Sequence, residues 1–170
     1  KNDANTGSGI FIVGINTPSI INTLITSNIG KTSSGIFVYS QNSIPSLTNV
    51  TISNHEVGIN QYAGSLVVKN SIIWGNSKSY STTDGYYEQI KEVTYSIIEG
   101  GHVGIGNLEF DPKFVNLVAS DSKKSDFHLQ DTSPAIGAGT SIGAPKTDLE
   151  GNPRPNPAGS IPDMGAFENK

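Results

Sequence analysis

The chain has no cysteine. That removes a disulfide framework and any thiolate metal site, while leaving the compartment open. Arginine is almost as scarce, with Arg154 the single example, and the net charge is −4. So acidic and guanidinium-poor a chain lacks the basic footprint of a nucleic-acid binder. No apolar run approaches the length that spans a bilayer, so no membrane helix is expected. Acids are missing from one region in particular. Between Ala4 and Thr83 there is no Asp and one Glu, Glu56. Glycoside hydrolysis needs a pair of carboxylates at a set separation, and that stretch cannot supply it. Lyase chemistry needs a cation or arginine to neutralise a uronate, together with a base. The same stretch offers only Lys31, Lys69, Lys78 and His55. Lys69 lies between two inward positions and reads as a solvated strand lysine, and His55 reads as an exposed turn residue.

What the chain does contain is repetition. Asn22-Thr23-Leu24-Ile25 returns as Asn49-Val50-Thr51-Ile52, as Asn70-Ser71-Ile72-Ile73, and in altered form as Tyr95-Ser96-Ile97-Ile98. The spacings are 27, 21 and 25 residues. A self-similar unit of roughly 20–30 residues indicates a stack of coils. Aliphatic residues occupy position −2 (Ile20, Leu47, Val68, Val93) and position +3 (Ile25, Ile52, Ile73, Ile98) in every copy. The separation between those positions is odd, so one straight strand cannot turn both inward. A bend at the Asn resets the phase, and Asn tolerates the left-handed backbone such a corner needs.

Stacking then aligns Asn22, Asn49 and Asn70 into a ladder bonding side chain to side chain or to backbone. Asn28, Asn54 and Asn76 are expected to form a second ladder. A column Gly9-Ile10, Gly35-Ile36, Gly58-Ile59 marks another strand. If those isoleucines face inward, alternation turns Phe11, Phe37, Tyr39 and Tyr62 outward onto one sheet face. Stacked outward aromatics suit sugar rings or a partner surface. The competing reading is that the Ser77–Glu92 loop or the C-terminal tail covers them. An ice-binding face, which needs a regular outward Thr array, does not fit Thr23, Val50, Ser71 and Ser96.

The regular phrase gives out at Tyr95 and Gly101, and the repeat is lengthened over 77–93 by a polar insertion that reads as a protruding loop. Seven of the nine prolines lie from Pro112 onward, which excludes central strands over much of the tail. Residues 1–101 are therefore assigned to coils and 102–170 to an irregular tail covering the end of the stack, within the same domain. Thirteen of the 15 acids lie from Asp84 onward. If Asp111, Asp126, Asp148, Asp163 and Glu168 converge, calcium with backbone carbonyls is one reading. Solvated or turn-capping acids are the other, and no cofactor is called for. Arg154 among these acids reads as a loop pin held by paired hydrogen bonds. Three scattered histidines give no metal pattern.

The tail wording carries a family resemblance. Asn107-Leu108-Glu109-Phe110-Asp111-Pro112, Asp126-Phe127-His128-Leu129, Ser133-Pro134-Ala135-Ile136-Gly137, Asp148-Leu149-Glu150-Gly151-Asn152-Pro153-Arg154 and Asp163-Met164-Gly165-Ala166-Phe167-Glu168 are its main phrases. With the Trp74-Gly75-Asn76 corner, they resemble parallel β-helix proteins of the choice-of-anchor kind, found in bacterial secreted and surface proteins. The resemblance implies an all-β, right-handed parallel β-helix of about four coils, a secreted or cell-surface setting, further coils upstream and a packing role for His128. It implies no reaction. The expectation that follows is a non-catalytic module for adhesion or carbohydrate binding, its partner a polysaccharide or cell-surface glycan. The alternative is the C-terminal part of a polysaccharide lyase or glycoside hydrolase whose active site lies in upstream coils. An exposed upstream end also offers end-to-end self-association.

Overall fold

The computed structural model describes residues 9–28, 34–39, 44–82, 92–118 and 123–169. Among them there is no helix, and none long and apolar enough to cross a membrane. The strands are β1 (Ile10–Val13), β2 (Ser19–Thr26), β3 (Ser34–Tyr39), β4 (Ser46–Ser53), β5 (Val57–Ala63), β6 (Val67–Lys69), β7 (Ile72–Ile73), β8 (Lys78–Thr82), β9 (Glu92–Thr94), β10 (Ile97–Ile98), β11 (Phe114–Asn116) and β12 (Asp126–Leu129).

The chain alternates between two parallel sheets. The first runs β1-β3-β5-β8, and the second holds β2, β4, β6, β7, β9 and β10. Pairing in the second sheet follows the repeated phrase: Ile20 opposite Leu47, Leu47 opposite Val68, and Val68 opposite Val93. Beyond the Asn corner, Ile25, Ile52, Ile73 and Ile98 align in turn. Both sets bury against the first sheet's Ile36, Val38 and Ile59, so the main core fills the space between the sheets.

The phase reset sits where the odd spacing demands it. Asn22, Asn49, Asn70 and Tyr95 have φ of 47°, 53°, 50° and 50°. Tyr95 therefore keeps the corner geometry after the Asn chemistry is gone. The residues that follow, Val50, Ser71 and Ser96, are buried, not outward. They form an inner chain of bonds in which the Val50 N–H donates to Ser71 Oγ and the Ser71 N–H to Ser96 Oγ. The Ser96 N–H then donates to Asn107 Oδ1.

Two sequence expectations are corrected here. The insertion expected to be a loop over 77–93 begins with β8, which completes the first sheet against β5. Residues 83–91 of that expected loop lie outside the described residues. The tail, expected over the end of the stack, mostly lies along its flank. Only its first segment extends the end, where Leu108 bridges to Ile97. The rest carries the antiparallel pair β11–β12 and packs a second core of Phe114, Phe127, Leu129, Met164 and Phe167 against Ile72 and Ile97.

Candidate functional sites

The outer face of the first sheet carries the four aromatics singled out in the sequence. Phe11 pairs in register with Phe37, and their ring centroids are 5.5 Å apart. A bulge between Val38 and Tyr39 moves Tyr39 opposite Ala63, yet the Tyr39 and Tyr62 rings still meet at 4.9 Å. Phe11, Tyr39 and Tyr62 remain 49%, 47% and 43% exposed, so no described segment covers them; Phe37 is half-buried. Along the register that begins Phe11–Phe37, the next positions are Asn60 and Ser81. The face thus grades from aromatic to polar across the strands.

The Asn ladder does more than link rungs. Asn70 Nδ2 donates to Asn49 Oδ1 at 3.3 Å, the one direct rung-to-rung amide contact in this column. The remaining bonds reach the tail. Asn22 Nδ2 donates to the Thr147 carbonyl at 2.6 Å, and Asn49 Nδ2 to the carbonyls of Asp163 and Gly165. Asn70 exchanges two bonds with the Thr140 backbone. A corner residue in left-handed conformation turns its amide outward, and the tail's backbone is laid on that row.

The second corner column differs from the one expected. Registered pairing stacks Asn28, His55 and Asn76, while Asn54 falls in the left-handed row with Ser27, Gly75 and Gly100. His55 is buried, not exposed. Its Nδ1 lies 3.3 Å from Asn76 Oδ1, an acceptor, and its Nε2 lies 3.1 Å from Asn28 Nδ2, a donor. Those partners select the neutral ring with the proton on Nδ1. Burial pushes its pKa down to about 4, against a smaller upward pull from Asn76.

Three of the five acids considered for calcium, Asp148, Asp163 and Glu168, do converge, but around Arg154. The buried guanidinium places Nε 3.2 Å from Glu168 Oε2, and Nη1 donates to the same two carbonyls, of Asp163 and Gly165, that Asn49 uses. Backbone N–H groups fill the carboxylates. Gly137 and Asn169 donate to Asp163, and Asn156 and Asp163 to Glu168. Glu150, Asn152 and Glu168 donate to Asp148. Burial raises the pKa of Asp163 and of Glu168 and lowers that of Arg154. For Asp148, burial pushes up, but the bonds from Asn152, Glu168 and Glu150 prevail and hold it low.

Such a nest of N–H donors is the inverse of a calcium shell, which needs oxygens facing inward. Asp111 instead accepts from the Lys113 N–H, and Asp126 from His128. Among the described residues no group of three or more His, Asp or Glu is placed to hold a metal. His128 joins Asp126 at 2.6 Å to Glu150 at 3.3 Å and lies 4.3 Å from the Phe167 ring. Lys69 is half-buried in β6, and Trp74 packs against the tail's core.

No family model matches the chain, and neither does any curated protein or solved structure.

Proposed function

We propose that the chain is a right-handed parallel β-helix of four coils, related to the choice-of-anchor proteins it resembles. In this reading it is a non-catalytic module of a bacterial secreted or cell-surface protein, binding carbohydrate through the outer face of the first sheet. The β-helix reading is supported by the chain's repeated passage between two parallel sheets in the register of its own repeat. Carbohydrate binding rests on one observation: two touching aromatic pairs on adjacent strands, three of whose four rings stay about half exposed. An exposed aromatic ring offers a flat apolar face to the C–H face of a sugar, and its edge positions the ligand with few rotatable bonds. Clusters of exposed large apolar side chains are uncommon on monomers and mark interaction sites.

A glycan array probed with wild-type protein and with the double variant Tyr39→Ala/Tyr62→Ala tests this. The expected result is retention of specific glycans by wild type and their loss in the variant, with an unchanged melting temperature. Unchanged retention with a lowered melting temperature would make the tyrosines packing residues and end the proposal. Ultraviolet absorbance from an unsaturated uronate product would instead favour a lyase.

A further inference from the structure

A second site lies at the downstream end of the stack, away from the aromatic face. Tyr80 aligns with Ile59 and continues the inward column Ile10, Ile36, Ile59 on the last strand of the first sheet. Where the earlier copies bury an isoleucine, this one places a phenol, partly buried against the core at the end of the stack. The chain then turns at Gly100 and Gly101, both in left-handed conformation (φ 87° and 77°), and brings His102 edge-on to Tyr80 with centroids 6.0 Å apart. Between Tyr80 and the segment 100–109 is an open cleft of about 560 Å3, lined by Tyr80, Gly100, Gly101, His102, Val103 and Glu109. That size lies within the roughly 300–1,000 Å3 range of small-molecule sites.

The lining is built, not incidental. Asn107 Nδ2 donates to the carbonyls of Val93 and His102, which fixes the loop to the last rung. His102 Nδ1 lies 2.8 Å from the Val103 carbonyl, so in the neutral ring Nδ1 donates there and the lone pair is on Nε2. Glu109 rests its carboxylate against Gly101, where a Cβ would lie 2.9 Å from Oε2. Glycine at 101 suits the left-handed backbone of this turn, with the Glu109 carboxylate lying over it.

We infer that this cleft binds a single neutral saccharide unit. Its side chains present two acceptors, the His102 imidazole and the Glu109 carboxylate, beside one aromatic ring. Among the described residues no lysine or arginine lines it, so acidic sugars meet an unneutralised carboxylate. Sugar hydroxyls supply the donors that those acceptors need, and the ring face of a hexose suits Tyr80. A lone ammonium is a poorer match, because one ring in an open cleft does not make an aromatic cage.

The test follows the His102 imidazole resonances by NMR while D-glucose, D-galactose or N-acetyl-D-glucosamine is titrated into the full chain. Glucuronate and methylammonium are the charged controls. The expected result is a saturable shift with at least one neutral sugar, weakened about tenfold or more by Glu109→Gln, as befits loss of a charged acceptor. Tyr39→Ala should leave the titration unchanged, which separates this site from the aromatic face. No saturable shift with any neutral sugar, a shift indifferent to Glu109→Gln, or a shift produced only by a charged control would each overturn the inference.

Discussion

His55 illustrates how one side chain can join the rungs and sense pH together. It occupies the place that Asn28 and Asn76 hold in neighbouring rungs, and it bonds to both. A second proton on Nε2 would face the Asn28 amide, donor against donor. With a folded pKa of about 4 against 6.5 unfolded, the unfolded chain takes up the proton first. Stability is therefore complete above pH 6.5 and falls as the pH drops towards 4, by at most about 3 kcal/mol from this group. Carboxylates titrate over part of the same range, so the comparison must be made against His55→Asn, which restores an all-Asn column and cannot titrate. Urea midpoints measured from pH 7.5 to 4.5 should fall more steeply for wild type than for the variant. Parallel slopes would show that His55 takes up its proton at the same pH in the folded and unfolded chain.

At the scale of the corner and its strands, Asn49 separates two jobs that the sequence merged. Its φ of 53° serves the bend, and its amide serves the tail carbonyls of Asp163 and Gly165. Asn49→Gly keeps the bend and removes the amide, leaving buried carbonyls with one donor fewer, for about 1–3 kcal/mol. Asn49→Ala adds the strain of a left-handed alanine, about 1–2 kcal/mol more. Chemical denaturation should rank wild type above Gly above Ala; equal losses would mean the bend costs Ala nothing.

The bend, both aliphatic columns and the four outward aromatics were legible because each follows from periodicity alone. The amide's second partner was not, since it lies 114 residues away and is a backbone group that any sequence could provide. The same limit explains the second ladder. Asn54 resembles Asn28 and Asn76 in type, but steps of 27 and 21 residues put His55 in the column. Counting along the repeat, rather than matching residue names, would have found it. The strand β8 was hidden because Lys78–Thr82 is polar, and its pairing comes from the neighbouring edge of β5 more than from its own composition.

Across the whole molecule, the tail changes how the two parallel sheets hold together. A bare stack of coils is stabilised by neighbour-to-neighbour contacts and can open from one end. Here the tail touches every rung: Thr147 at Asn22, Asp163 and Gly165 at Asn49, Thr140 at Asn70, and Ile105 at the Tyr95 N–H. Arg154 stiffens the central attachment, because its Nη1 shares both carbonyls with Asn49. The first rung is thereby tied through the tail to the last, and end-fraying must strip the tail as well. Native-state hydrogen exchange should then give similar opening free energies for Ile20–Ile25 on the first rung, Ile72–Ile73 on the third and Met164–Phe167 in the tail. Arg154→Ala leaves buried carboxylates without their cation, a loss of about 3–5 kcal/mol. It should lower protection in all three segments together. If instead the tail loses protection while Ile72–Ile73 keeps its own, the parallel sheets are stable by themselves and the tail is an attached flank, not the element that makes one cooperative unit of the chain.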